Sequence, residues 1–393
     1  MGDTATSPAL SIVVTSRNDD HGGNMLGRMQ IFVTGLLEQC RRHQLDGELI
    51  LVEWNPPPDR PRLADALSWP KEPGPCRVRI IEVPPETHRR RYKLWQALPL
   101  HQMIAKNVGI RRARGRFVLA TTVDLLFSDE LVSFLASGTL EPGRLYRIDR
   151  YDVPADVPVN GPVEKQLEYC RTHVIRVATR DGIYSPSDLP SHRLSLWQTA
   201  PPLAMLGKFM SLFLPSWPKG EPLSDVVTIS RLREFLADRV RLVDRAIKYG
   251  FRLKLPWLHL YAPGDFTLMA REPWFDLHGY PEFEVYPLHV DTLFCYMACI
   301  AGISENVLGD PMRIYHIEHG LSWTPEAERQ GELREWLTSG EIPHLSLDQV
   351  EAWAFQMKRK QHPLFFNDQN WGLADEEFKE IEINCANEKQ IGL

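Results

Sequence analysis

Residues 102–124 read Gln-Met-Ile-Ala-Lys-Asn-Val-Gly-Ile-Arg-Arg-Ala-Arg-Gly-Arg-Phe-Val-Leu-Ala-Thr-Thr-Val-Asp. This texture predicts a helix from about Gln102 to Arg114, then an apolar strand from Arg116 to Thr122 that ends on Val123-Asp124. Working back towards the N-terminus, Leu10-Ser-Ile-Val-Val-Thr-Ser16 is a β-branched run that opens into the polar loop Arg17-Asn18-Asp19-Asp20-His21-Gly22-Gly23. Met25 to Arg42 follows, with Met25, Met29, Phe32, Val33, Leu36 and Leu37 at helical spacing and Arg28, Glu38, Arg41 and Arg42 opposite. A second strand, Glu48 to Trp54, stops at Asn55-Pro56-Pro57-Pro58, and a third spans Val78 to Val83. Strand, helix, strand, then strand, helix, strand predicts an α/β chain with a mostly parallel, Rossmann-like sheet covered by helices on both faces. Ligands of such sheets sit at the C-terminal strand ends, which here carry Thr15 to Asn18, Glu53 to Asn55 and Thr122 to Asp124.

Composition narrows the classes of function. The chain has 393 residues, 43% hydrophobic and 24% charged, which excludes disordered and fibrous classes. At about 150 residues per domain the length suggests roughly 2.6 domains. Lys and Arg number 45 against 51 Asp and Glu, a formal charge of -6, so no global positive field holds nucleic acid or an anionic membrane. Six cysteines, at 40, 76, 170, 295, 299 and 385, form no CxxC pair, and Cys295 and Cys299 read as core thiols of a reducing compartment. The N-terminus lacks the basic and apolar regions of a signal peptide, so the expected location is the cytoplasm, with at most peripheral contact at the inner face of a membrane.

The 31 prolines concentrate outside the strand-helix pattern. Many fall in the connector at 56–85 and in residues 151–224, where Leu194 to Trp217 is too interrupted for a membrane span of about 20 residues. The expected organisation is a first α/β half over 1–150, a Pro-rich insertion over 151–250 that packs on the sheet or serves as a lid or acceptor platform, a second half over 251–323, and a mostly helical, acidic tail over 324–393. Within these, Ser230 to Tyr249 reads as an amphipathic helix, Asp291 to Ile300 as a buried helix and Met312 to Ile317 as a strand.

Neither a Walker loop nor GxGxxG is present, so phosphates would be held by a metal and side chains. Asp124 is one candidate ligand: a carboxylate leaving an apolar strand is costly to bury unpaired, and a divalent cation offsets that cost. An Asp in this place, ahead of Ser128-Asp129-Glu130, also serves as a turn or cap residue. His316 and His319 can share an ion only if a turn begins near Glu318, because residues i and i+3 of a strand face opposite sides. Surface histidines are the plainer reading. Asp291 falls near the start of the buried helix, where a carboxylate is either a plain N-terminal acid or a base kept ionised. Arg112 and Arg114 read as a solvated helix end, and His88-Arg89-Arg90-Arg91-Tyr92-Lys93 as an exposed loop.

Taken in chain order these signals resemble a GT-A fold glycosyltransferase of the family 2 type. The likeness covers roughly residues 9–130 and 255–322. Its most specific block is the family's Arg/Lys-Asn-x-Gly-x-x-x-Ala-x-Gly pattern, matched by Lys106, Asn107, Gly109, Ala113 and Gly115. The resemblance implies an inverting transferase that moves a sugar from a nucleoside diphosphate sugar, a UDP-sugar being favoured, to a hydroxyl of a glycan, lipid-linked or small-metabolite acceptor. It implies nucleoside contacts from Thr15, Arg17, Asn18 and Glu53, with Lys106, Asn107 and Arg111 also facing the donor. The family's Asp-x-Asp metal motif falls on Thr122-Val123-Asp124. A Met-x-x-His pair of related galactosyltransferases resembles His316-Ile317-Glu318-His319, so Mn²⁺ or Mg²⁺ on Asp124, His316 and His319 is expected. The catalytic base falls on Asp291, with Glu282, in the Gly279-Tyr280-Pro281-Glu282 turn, as the second candidate. Thr122 and Val290 stand where the family has acids. That departure leaves room for a decayed sugar-nucleotide-binding module, and a sugar nucleotidyltransferase is a third reading.

Overall fold

A computed structural model describes residues 7–72, 74–189, 255–320 and 332–383. In chain order the elements are β1 (Leu10–Ser16), α1 (Met25–His43), β2 (Gly47–Trp54), α2 (Leu63–Ala66), β3 (Arg77–Val83), α3 (Pro85–Arg91), α4 (Gln102–Arg111), β4 (Phe117–Thr121), β5 (Leu125–Phe127) and α5 (Asp129–Ala136). They continue with β6 (Arg144–Ile148), β7 (Arg150–Val153), α6 (Val163–Thr172), β8 (Arg176–Thr179), β9 (Gly182–Tyr184), β10 (Phe266–Ala270), α7 (Arg271–Asp276), α8 (Val290–Ile300), β11 (Ser304–Leu308), β12 (Ile314–Ile317), α9 (Glu332–Ser339), α10 (Leu347–Lys360) and β13 (Lys379–Glu382).

The central sheet runs β11-β6-β10-β4-β1-β2-β3-β13. β3, β2, β1 and β4 are parallel neighbours, whereas β10 is antiparallel to both β4 and β6 and β13 is antiparallel to β3. The mostly parallel α/β sheet expected from the sequence is therefore present, with two reversed strands. Alternation along the strands explains its two covered faces. Val13, Ile50, Val52 and Trp54 pack with α4, α8 and Trp371, while Leu10, Ile12, Val14, Leu49 and Leu51 pack with Met29, Phe32 and Leu36 of α1 on the other side. Gly109 allows α4 to lie this close, since a Cβ there would come within 2.5 Å of Val13.

Three features differ from the sequence reading. A second sheet, β5-β12-β7-β8-β9, carries His316 and was not foreseen, because its strands are three or four residues long and pair across large sequence separations. Its members β7, β8 and β9, with α6, belong to the compact unit formed by 1–187 and 255–393; the other unit is 188–254. The stretch 151–187, read as the start of an insertion, is thus part of the main unit. Finally, the tail after α10 is not all helical: β13 adds an antiparallel edge strand to β3, with Ile381 opposite Ile80. The segments Leu194 to Trp217 and Ser230 to Tyr249 lie outside the described residues. No helix among the described residues is long and apolar enough to cross a membrane.

Candidate metal and nucleotide site

The order β3-β2-β1-β4 means that the chain winds to one side of β1 and then returns to start on the other. The crevice between the C-terminal ends of β1 and β4 is the topological switch point at which such sheets take ligands. Thr122 to Asp124 leave β4 there, and Thr15 to Asn18 leave β1.

Three predicted ligands converge at this edge. Asp124 Oδ2 lies 3.1 Å from His319 Nε2 and 3.9 Å from His316 Nε2, and the two imidazole rings are 5.6 Å apart. The convergence is a consequence of backbone pairing. Ile317, the last residue of β12, donates its N–H to Asp124 O at 2.9 Å, and the Glu318 N–H turns to Val153 O. The strand stops where the sequence required a turn, so both rings reach one carboxylate. Gly22, with φ of 71°, lets the β1–α1 loop close on His319, whose Nδ1 would be 2.4 Å from any Cβ at that position.

One ligand atom from each of Asp124, His316 and His319 can lie within 4.8 Å of the others. Asp124 Oδ1 and Thr122 Oγ1 are buried there, and apart from the Thr122 contact that helps lower the Asp124 carboxyl neither has a hydrogen-bond partner. Burial alone would raise the Asp124 carboxyl, but the His319 hydrogen bond and the adjacent His316 hold it well below the usual range. One carboxylate and two imidazoles form a donor set that fits a divalent transition ion such as Mn²⁺ better than Mg²⁺. A second constellation, Asp152, His316 and Glu318, is also compact. There Arg176 already bridges Asp152 and Glu318, so a guanidinium supplies the positive charge.

On the β1–β2 side Thr15 Oγ1 donates to Val52 O and Asn18 Nδ2 donates to Pro61 O. Arg17 lies 3.4 Å from Asp19. Glu53, directly opposite Ser16 in the parallel register, is fully buried, and its Oε1 accepts the Leu63 N–H. Its Oε2 and Asn18 Oδ1 have no partner. Burial pushes the Glu53 carboxyl up to about 7. Beside them Trp54 Nε1 donates to His88 Nδ1 at 3.0 Å, and the rings of Tyr92 and His101 pack against them at tilted and edge-on angles. His88, read from sequence as part of an exposed loop, is buried on α3.

Lys106 and Asp291 meet at Gly264. The buried Lys106 Nζ donates to Gly264 O at 2.7 Å, and the Gly264 N–H donates to Asp291 Oδ2 at 2.6 Å. Asp291 Oδ1 accepts from Thr292 N at the start of α8. Burial lowers Lys106 to about 8 and raises Asp291, while the charges of Asp265, Asp291 and Asp124 support the ammonium.

Asn107, Arg111 and Glu282 form a different assembly. Asn107 brackets Tyr280, its Nδ2 donating to Tyr280 O and its Oδ1 accepting the Tyr280 N–H, and Glu282 Oε1 accepts from Asn107 Nδ2 at 2.9 Å and from Gly372 N at 2.7 Å. Arg111 lies over Trp371, 4.9 Å from the ring centre. Arg112 is not a solvated helix end: it donates to the carbonyls of Gly372, Leu373 and Glu376. These residues fasten the C-terminal tail.

Sequence reasoning missed Asp152, which touches His316, and the guanidiniums of Arg150 and Arg176 around it. The one local signal was that Arg150 and Asp152 alternate on a strand and so share a face.

No family model matches the chain, and no curated protein sequence matches it. Among solved structures, that of GalNAc-T7 with UDP, GalNAc and Mn²⁺ aligns over 94% of this chain and 57% of its own, at 12% identity and a TM-score of 0.41. The chain thus spans little more than half of that protein's length.

Proposed function

We propose that the chain transfers a sugar, with inversion, from a nucleoside diphosphate sugar to an acceptor hydroxyl with the help of a divalent metal. The supporting observation is the meeting of Asp124, His316 and His319 at the β1–β4 switch point, with polar atoms of Thr122 and Asp124 that have no partner beyond their mutual contact. In this reading Glu53 and Asn18 offer their unpartnered oxygens to the nucleoside, beside Thr15 and Arg17. Asp124, His316 and His319 would hold Mn²⁺ or Mg²⁺, which supplies Lewis-acid charge to the departing diphosphate.

Asp291 takes the proton of the acceptor hydroxyl as the acceptor oxygen bonds to C1 and the bond from C1 to the diphosphate oxygen breaks, its electron pair leaving with the nucleoside diphosphate. Burial raises its carboxyl, the reverse of the ionising effect expected from the helix start alone. Lys106, which donates to Gly264 O, keeps the Gly264 N–H aimed at Asp291. Glu282, whose Oε1 is engaged by Asn107 and Gly372, is the second candidate; both Asp291 oxygens also accept backbone N–H groups, so the preference for Asp291 rests on its place at the start of α8. The acceptor is a glycan, lipid-linked or small-metabolite hydroxyl.

Incubation with UDP- and GDP-sugars and Mn²⁺ tests the proposal. Release of nucleoside diphosphate is expected, with UDP-sugars turned over best. Pyrophosphate exchange would instead make the chain a nucleotidyltransferase. Binding without release would make it a decayed binding module.

A further inference from the structure

Parallel pairing of β7 with β12 sets Asp152 opposite His316 in register, although 164 residues separate them. Asp152 is fully buried. Its Oδ1 lies 3.1 Å from His316 Nδ1 and 2.8 Å from Arg150 Nε, and its Oδ2 lies 2.7 Å from Arg176 Nε. Arg150 in turn reaches Asp265 Oδ2 at 2.9 Å. Two guanidiniums therefore fix the carboxylate from both sides, Arg150 shared with Asp265 and Arg176 shared with Glu318.

A carboxylate held in this way accepts, so His316 Nδ1 must carry the hydrogen. The lone pair is then on Nε2, the nitrogen that faces Asp124. We propose that Asp152 is a positioning residue of the ion site: braced by Arg150 and Arg176, it fixes the ring orientation and tautomer of His316 so that Nε2 is presented as a ligand. The proposal rests on the metal reading of Asp124, His316 and His319. It also explains why the other compact constellation, in which Asp152 itself would be a ligand, does not compete for His316: its carboxylate is committed to arginines. Carboxylates behind metal-bound histidines commonly govern affinity through the same geometry.

The test uses the full chain and Mn²⁺ alone, without nucleotide. In Asp152→Asn the amide either turns its NH₂ towards His316 Nδ1, which reverses the tautomer, or accepts as a neutral and weaker partner. Calorimetry should show Mn²⁺ affinity falling about 10- to 100-fold, with a changed Mn²⁺ electron paramagnetic resonance spectrum. Arg176→Met removes one of the two braces but leaves the histidine contact, so it should lower thermal stability and reduce Mn²⁺ affinity by less than Asp152→Asn does. In the metal-free wild type, ¹⁵N spectra of the histidine rings should show His316 protonated on Nδ1. A folded Asp152→Asn chain with wild-type Mn²⁺ affinity, or a wild-type His316 protonated on Nε2, overturns the positioning role. Failure of the wild type to bind Mn²⁺ overturns the ion site and the positioning role together, and is distinct from a wild type that binds and a variant that binds equally well.

Discussion

Two groups of residues that the sequence marked as functional have opposite hydrogen-bond economies. At the C-terminal ends of β4, β1 and β2, Asp124 Oδ1, Thr122 Oγ1, Asn18 Oδ1 and Glu53 Oε2 have no partner beyond the Thr122–Asp124 contact. At the tail, Asn107 and Glu282 hold each other and the backbone of Tyr280 and Gly372, and no buried polar atom of the Asn107 or Glu282 side chain is left over, whereas the Tyr280 hydroxyl beside them is. A folded chain leaves buried polar atoms unpaired at a cost of about 1–3 kcal/mol each. Such a cost is tolerated where a ligand removes it, whereas a fastening satisfies itself. The difference distinguishes the proposed binding edge from the clasp, and the same division runs through one sequence motif: Lys106 donates to Gly264 O, while the next residue, Asn107, donates to Tyr280 O.

The comparison breaks most sharply at Asp291. If it is the base, Asp291→Asn should lower kcat by about 10²–10⁴ while donor affinity stays unchanged, since the proton transfer belongs to the transition state. An amide retains only one of the two backbone bonds that Asp291 accepts, so a melting curve must accompany the kinetics. Undiminished turnover would shift the base to another residue.

Glu53 and Glu282 sharpen the contrast, because burial pushes both carboxyls up to about 7. For Glu53 the folded chain holds a proton that the unfolded chain has released, so stability falls as pH rises from about 4.5 to about 7. The shift corresponds to about 3 kcal/mol. Glu53→Gln keeps an acceptor for the Leu63 N–H and removes the charge. Its melting temperature should match the wild type near pH 5 and exceed it at pH 8, with weaker UDP binding. Equal melting curves at pH 8 would mean that Glu53 is already compensated. Asp124→Ala should weaken donor binding by about a hundredfold in the presence of Mn²⁺, a loss of about 2.7 kcal/mol. Addition of EDTA should then cost the variant little further. Activity indifferent to both the substitution and EDTA would remove the metal from the site.

Much of this was legible in the residues. The runs Leu10 to Ser16, Glu48 to Trp54 and Arg116 to Thr122 are dense enough in β-branched and apolar residues to give the parallel strands, and their order gives the crevice. The need for a turn at Glu318 was also visible, because strand geometry forbids two residues three apart from sharing a face. What stayed hidden depends on non-local pairing. Asp152 meets His316 only through the β7–β12 register, and β13 reaches β3 across about 300 residues. Short strands of three or four residues carry too little periodicity to announce themselves. Arg112 misled for a related reason: a basic helix end looks solvated until the tail that covers it is in place.

The smallest expected effect tests the clasp itself. Glu282→Ala leaves the Asn107 Nδ2 and Gly372 N donors facing a gap, in a setting where Arg111 and Trp371 still pack. Unpaired buried donors of this kind cost about 2 kcal/mol, seen as a lowered melting temperature and faster hydrogen exchange in residues 367–378. Nucleotide and Mn²⁺ affinity should be unchanged, because no atom of the clasp bonds to Asp124, His316 or Glu53. The sign is opposite to that at Glu53, where removing the charge stabilises. A Glu282→Ala chain that melts normally but loses kcat would overturn the division drawn between the two regions and restore Glu282 as the base.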